Sequence, residues 1–345
     1  MTDVQQVREG EELKWDVLES YLRDKLQDIE GEMIVGQFHG GHANLTYLIK
    51  FGDKEFVLRR PPFGKIAPGA HDMKREYKVL SKLYKFLPQA PRAFHLCLDE
   101  EIIGAKFVII ERRVGVVIRK TLPECFTQMD NVNERLANAL LRATADLHTV
   151  DVGKAGLENL GRPEGFAARQ LEGWYNRWNL SKTEENKDMD NVFKKLSEQI
   201  PEPQAVAIIH NDLKFDNCQF SPDNPDEVKS IFDWDMTTLG DPLIDFGILL
   251  SYWQDPLLEN FKILPFSLEG EVPGKDYLIS KYEKLSGYNL DSIRWYECFA
   301  FWKNAVVLQQ LYKRFVDGAT KDKRMAQLGL GAQVLASAGN QKINW

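Results

Sequence analysis

The spacing of apolar residues changes period once along this chain, and the change divides it in two. Up to Glu111, apolar positions mark short strands between glycine- and proline-rich turns: Met33–Phe38, Thr46–Phe51, Glu55–Arg59, Ala93–Leu98 and Lys106–Glu111. Runs of this length bounded by turn residues read as an antiparallel meander. Two helical patterns accompany them. Trp15, Leu18, Leu22 and Leu26 recur at helical spacing across Glu12–Ile29, and Met73, Tyr77, Leu80, Leu83 and Tyr84 do so across Asp72–Leu87. Beyond the valine-rich stretch Arg112–Arg119 the pattern is helical, strongest over Asn131–His148 and Phe166–Trp178. The charged stretch Lys182–Asp188 reads as a solvated loop. The expected class is α+β, with a small antiparallel-sheet lobe over residues 1–113 and a mainly helical lobe over 114–345.

Composition removes several classes of function. The 345 residues are 43% hydrophobic and 28% charged, enough to bury a large core and too apolar for wholesale disorder. Lys and Arg total 44 against 51 Asp and Glu, a formal charge of -7, which is the wrong sign for a nucleic-acid partner. No apolar run reaches the roughly 18 residues of a membrane span, and Met1–Gly10 lacks the apolar stretch of a signal peptide. Cys97, Cys125, Cys218 and Cys298 have no paired short spacing, so neither a zinc site nor a disulfide framework is indicated. A cytoplasmic protein acting on a small molecule is the expectation.

Two short apolar runs, Ala205–Ile209 and Lys229–Phe232, interrupt the helices and bracket the most polar part of the chain. The first leads into His210-Asn211-Asp212-Leu213-Lys214-Phe215-Asp216-Asn217, which fits His-x-Asp-x-x-x-x-Asn after a strand. The logic of that spacing is that a carboxylate sits at a hydroxyl awaiting phosphorylation while an amide oxygen holds a metal against nucleotide phosphates. After a turn containing Ser221, Pro222, Asn224 and Pro225, the second run ends in Asp233-Trp234-Asp235. A ribbon joined this way returns Asp233 toward Asn217, giving oxygen ligands for magnesium; Asp235 is either a further ligand or solvated.

These residues resemble the aminoglycoside phosphotransferase and choline kinase branch of the protein-kinase-like superfamily, where Asp-Trp commonly stands in place of Asp-Phe-Gly. Gly240-Asp241-Pro242-Leu243-Ile244-Asp245 looks like the branch's Gly-Asp-Pro...Asp stretch, whose acids brace the catalytic loop. The likeness narrows to the kinase-like domain fused to some acyl-CoA dehydrogenases, through Gly40-Gly41-His42-Ala43-Asn44-Leu45-Thr46-Tyr47, Val57-Leu58-Arg59-Arg60-Pro61-Pro62, Ala70-His71-Asp72-Met73-Lys74-Arg75-Glu76-Tyr77 and Leu160-Gly161-Arg162-Pro163-Glu164-Gly165. The chain stops at Trp345, so the resemblance implies a stand-alone form.

The resemblance implies a two-lobed kinase fold using ATP and Mg2+, with Asp212 as base or hydroxyl-orienting group and Asn217 and Asp233 as metal ligands. Lys214, two residues after Asp212, lies where a cation offsets phosphoryl charge in the transition state. No Gly-x-Gly-x-x-Gly is present, so phosphate contact falls to backbone near Gly40, Gly41 and Asn44. Where kinases carry a lysine this chain has Arg59 and Arg60; arginine grips phosphate in bidentate fashion. Strand alternation puts Val57 and Arg59 on one face, without deciding which arginine points inward. Glu76 is the expected ion-pair partner. Adenine is expected at main-chain groups from Glu111 to Arg113.

His210 and His148 read as packed scaffold residues, and Trp253, Trp295, Phe299 and Trp302 as core in preference to an acceptor pocket. The acceptor implied is a small alcohol, a hydroxyacyl-CoA first and an aminoglycoside-like alcohol second. The rival readings are a non-catalytic nucleotide-binding regulatory module and a protein kinase; the latter would carry Asp-Phe-Gly where this chain has Asp233-Trp234-Asp235, and no Ala-Pro-Glu follows downstream.

Overall fold

A computed structural model describes residues 3–39, 44–64, 71–119, 121–259, 261, 268 and 270–343. Its first eight elements are β1 (Val4–Gln5), α1 (Trp15–Lys25), β2 (Met33–Phe38), β3 (Leu45–Phe51), β4 (Lys54–Arg60), α2 (Met73–Leu83), β5 (Ala93–Cys97) and β6 (Phe107–Glu111). The strands form one six-stranded sheet in the order β1-β2-β3-β4-β6-β5, with every neighbouring pair antiparallel. Along β3, Leu45, Tyr47, Ile49 and Phe51 are buried while Thr46, Leu48 and Lys50 are partly exposed. That alternation turns one face of the sheet onto a core shared with Leu18 and Leu22 of α1 and with Phe56, Leu58, Phe107 and Ile109. Asp72 starts α2 by accepting the amides of Lys74 and Arg75, which satisfies donors the helix itself cannot.

The remaining elements are β7 (Val116–Val117), α3 (Val132–His148), α4 (Phe166–Ser181), α5 (Lys187–Glu198), β8 (Ala207–Ile209), β9 (Cys218–Ser221), β10 (Asn224–Ile231), β11 (Thr238–Gly240), α6 (Pro242–Ser251), α7 (Lys275–Ser286), α8 (Ile293–Val316) and α9 (Leu328–Lys342). β10, β9 and β7 make a small sheet, and β11 pairs with β8. α6 is buried along its whole length. It can lie close to α8 because position 247 is glycine: a Cβ there would stand 2.7 Å from the backbone of Tyr296.

The chain separates into two units. The first comprises Met1–Gly115, Asp151–Leu160 and Lys229–Thr237, and the second Val116–Val150, Gly161–Val228 and Thr238–Trp345. Asp233 therefore belongs with Arg59 and Glu76, whereas Asp212 and Asn217 belong with the helices.

Four details differ from the sequence reading. β1, two residues long, is too short to show a period, yet Val4 and Gln5 pair with Phe38 and Gln37. The valine-rich stretch contributes strand β7. The loop expected over Lys182–Asp188 ends two residues early, at Asn186, whose side chain accepts two amides and starts α5, with Met189, Val192 and Leu196 buried. The broad turn around Pro225 is narrower than expected, since β9 and β10 flank only Pro222 and Asp223. Proline sits within β10 because that strand is at the edge of its sheet, where no ladder donor is required of it.

Candidate active site

In the first unit, one guanidinium organises the polar residues. Arg59, on β4 opposite Thr46 of β3, donates through Nη1 to Glu76 Oε1 and through Nη2 to Asp233 Oδ1 at 2.6 Å. Glu76 is in the first turn of α2 and is wholly buried; among the described residues its Oε2 has no hydrogen-bond partner. Asp233 follows β10 with φ +68, a left-handed conformation that turns the chain immediately after the strand. Burial works against the charge on Arg59, but Glu76 and Asp233 outweigh it and hold the guanidinium above its ordinary pKa. Burial also pushes Glu76 upward, with Arg59 pulling it back.

Asn44 extends this cluster. Its Nδ2 lies 3.4 Å from Asp233 Oδ1 and 3.3 Å from Asp235 Oδ2, and its Oδ1 is 2.8 Å from His71 Nδ1. Asp235 is buried, and burial followed by repulsion from Asp233 raises its pKa. The choice between the two arginines is resolved: Arg60 donates to the carbonyls of Pro61 and Ile103 and its guanidinium lies 4.1 Å over Phe63, away from the acids. Gly40 and Gly41 lie outside the described residues, as does His42. Glu111 and Arg113 pair with each other at 3.0 Å; the Glu111 amide donates to the Arg92 carbonyl, and the Arg113 carbonyl accepts from Arg112.

In the second unit, β8 delivers the loop carrying Asp212. Asp245, buried on α6, accepts the backbone amides of both His210 and Asn211. Its other neighbour is His148 Nε2 at 3.2 Å, whose Nδ1 meets Tyr282 Oη at 2.6 Å. Burial opposes ionisation of Asp245, but His148 and His210 hold its pKa below the usual range, so it is a charged acceptor for the loop. Asn211 adopts φ +70, the left-handed turn that sets Asp212 apart from the strand. His210 is buried and its Nδ1 accepts the Asp212 amide at 3.3 Å, a scaffold role.

The Asp212 carboxylate has three donors. Lys214 Nζ lies 3.1 Å from Oδ1 and 2.9 Å from Oδ2, Tyr252 Oη donates to Oδ1 at 3.1 Å, and Asn217 Nδ2 donates to Oδ2 at 3.0 Å and to the Asp212 carbonyl at 2.7 Å. Because Asn217 spends its nitrogen on Asp212, its Oδ1 is the atom left to accept from or ligate another group. Burial raises the Tyr252 pKa and Asp212 raises it further, keeping the phenol protonated as a donor. Lys303 of α8, only 7% exposed, donates to the Asn211 carbonyl at 3.3 Å.

Tyr252 and Lys303 are absent from the sequence reading. Tyr252 has no spacing signal, since only the fold returns it to Asp212. Lys303 did carry one: it falls on the apolar stripe of α8 with Phe299 and Val306, where a lysine is out of pattern. Trp253, Trp295, Phe299 and Trp302 are all buried, as core residues are. Among the described residues, no group of three or more His, Cys, Asp or Glu is arranged to hold a metal ion. No helix among them is long and apolar enough to cross a membrane.

A small antiparallel-sheet unit, a helical unit and a strand-borne His-x-Asp-x-x-x-x-Asn loop define a phosphotransferase of the protein-kinase-like fold. The phosphotransferase enzyme family matches residues 35–263, and the chain belongs to it. Acyl-CoA dehydrogenase family member 10 of Mus musculus is 28% identical over 94% of this chain and 30% of its own length. The probable acyl-CoA dehydrogenase IBR3 of Arabidopsis thaliana is 30% identical over 88% of this chain and 39% of its length. The chain thus spans well under half of these relatives.

Among solved structures, a Ralstonia eutropha JMP134 protein provisionally described as an aminoglycoside phosphotransferase has a TM-score of 0.79 at 28% identity, covering 96% of this chain and 98% of that one. A choline kinase from Cryptosporidium parvum has a TM-score of 0.61 at 13% identity, covering 96% and 99%. Aminoglycoside phosphotransferase APH(4)-Ia, solved with ADP and hygromycin B, has 0.58 at 15%, covering 94% and 98%. The last two bear on fold alone.

Proposed function

We propose that this enzyme transfers the γ-phosphoryl group of ATP, with magnesium, to the hydroxyl of a small molecule. The observation that carries the reading is the single loop on which Asp212, Lys214 and Asn217 are hydrogen-bonded to one another behind a strand anchored by Asp245. Held by Lys214, Tyr252 and Asn217, the Asp212 carboxylate would act chiefly by orienting the acceptor hydroxyl and receiving its proton. Phosphoryl transfer asks little more of a base, since its transition state is loose and positioning dominates. The acceptor oxygen bonds to the γ-phosphorus, the bond to ADP breaks, and the hydroxyl proton passes to Asp212.

Lys214 would offset phosphoryl charge, and Arg59, fixed by Glu76, would hold the nucleotide phosphates. Asn44 and the backbone at Gly40 and Gly41 are assigned to the phosphates, and the main chain from Glu111 to Arg113 to adenine. Asn217, through its amide oxygen, and Asp233, through its carboxylate, are each assigned to magnesium, an ion that takes one or two protein ligands with phosphates and water completing its shell. When bound, magnesium would neutralise phosphate charge. APH(4)-Ia, which shares this fold, was solved with ADP.

The acyl-CoA dehydrogenase names of the curated relatives favour a hydroxyacyl-CoA acceptor over an aminoglycoside. Residues 1–113 and 114–345 are proposed as the nucleotide lobe and the catalytic lobe. Four cysteines without disulfides suit a cytoplasmic location. The experiment is incubation of the protein with γ-labelled ATP and a metabolite extract, followed by mass spectrometry. A labelled phosphomonoester is expected; label appearing only as inorganic phosphate would reject the reading.

A further inference from the structure

The residues that fix Asp212 extend beyond its own loop. Asn211 is pinned at both ends while held in the left-handed region: its amide donates to Asp245 Oδ1 and its carbonyl accepts from Lys303 Nζ. The next residue, Asp212, accepts at its carboxylate from Tyr252 Oη, which comes from the residue after α6. Lys303 is an unusual occupant. Its neighbours along α8, Phe301, Trp302, Ala305 and Val306, are all buried, and among the described residues no carboxylate lies within 4.0 Å of its ammonium. Its Nζ also lies 5.5 Å from the centre of the Trp174 ring. A buried cation with no carboxylate in direct contact is a worse fit to a helical core than an apolar side chain of similar length, even with Asp212 and Asp245 attracting it from further off. Its hydrogen bond goes to the carbonyl that precedes Asp212.

We propose that Tyr252 and Lys303 are positioning residues for Asp212, the first through its carboxylate and the second through the peptide carbonyl that precedes it. The inference rests on the reading of Asp212 as the group that receives the acceptor hydroxyl. Rotation of the Asn211–Asp212 peptide would swing the carboxylate off the hydroxyl, and a displacement of about 1 Å is enough to lower turnover strongly. Burial lowers the Lys303 pKa to about 8; attraction to Asp212 and Asp245 opposes this, and repulsion from Lys214 and Arg177 adds to it.

The test uses the full chain and the Tyr252→Phe, Lys303→Met and Lys303→Arg variants. Three quantities are read: label transfer from γ-labelled ATP to the acceptor in a metabolite extract, magnesium-ATP affinity by calorimetry, and melting temperature. Tyr252→Phe and Lys303→Met should lower kcat by about tenfold or more, with KM for ATP and the calorimetric Kd changed by less than about twofold. Lys303→Met should melt no lower than the wild type, and Lys303→Arg, which keeps a donor, should recover part of the lost turnover. A merely structural role predicts the opposite pattern, with turnover, nucleotide affinity and melting temperature falling together; that result overturns the proposal. Wild-type turnover in both the Tyr252 and Lys303 variants would also overturn it, leaving the phosphotransfer reading in place. A wild-type protein that transfers no label overturns the reading itself and the proposal with it.

Discussion

Arg59 is the residue whose loss the structure makes hardest to absorb. Its guanidinium neutralises Glu76, which has no exposure and, among the described residues, one oxygen already without a partner. Arg59→Met should therefore destabilise by about 3–5 kcal/mol, the usual penalty for stranding a buried charge; urea unfolding within 1 kcal/mol of wild type, as an order-of-magnitude threshold, would show the pair to be dispensable. Lys303 predicts the reverse sign. Its folded pKa near 8 is below the ordinary lysine value, so burial penalises its charged form. That penalty is fully present below about pH 8 and vanishes as pH rises past the unfolded value near 10.5. Lys303→Met should be more stable than wild type by about 1–3 kcal/mol at pH 7, the gap closing toward pH 10.5; a constant gap across that range would refute the assignment. At this scale Asp212 and Asn217 were legible because one loop fixes their spacing. Tyr252 was not, because its approach to Asp212 depends on where α6 ends.

Elements were legible where one face is buried and the run is long. β3 and α2 follow their sequence patterns closely, and Asp72 announces the start of α2 as a capping residue should. Misreadings came from local composition. The charges of 182–188 concealed the start of α5, although Met189, Val192 and Leu196 carry a helical period just beyond them. Pro225 suggested a turn because proline is excluded from central strands, and an edge strand was the exception. Close packing of α6 on α8 depends on a residue that periodicity does not single out. Gly247→Ala would force a methyl to within 2.7 Å of the Tyr296 backbone, which no rotamer can relieve. A loss of about 1–3 kcal/mol is expected from such overpacking, with the catalytic loop affected too, since Asp245 sits two residues earlier on α6. An unchanged melting temperature would mean that α6 and α8 are not packed as described.

For the whole molecule, family membership follows from a match that runs from residue 35 to residue 263. The sequence exposed this because its motifs are local: the loop after β8 and the Asp-Trp after β10 are each a few residues long. What it could not expose is how distant segments assort. Asp233 counts with the sheet unit and Asp212 with the helical unit, although one ribbon connects them. The acceptor is the least legible part, because recognition of a small molecule leaves no short motif. In the proposed function Asp212 serves transfer and not nucleotide binding. Wild type and Asp212→Asn are to be compared for label transfer from γ-labelled ATP to the acceptor, with magnesium-ATP affinity measured alongside. Transfer should fall by about a thousandfold at nearly unchanged affinity; transfer at the wild-type rate in the variant would remove Asp212 from the reaction.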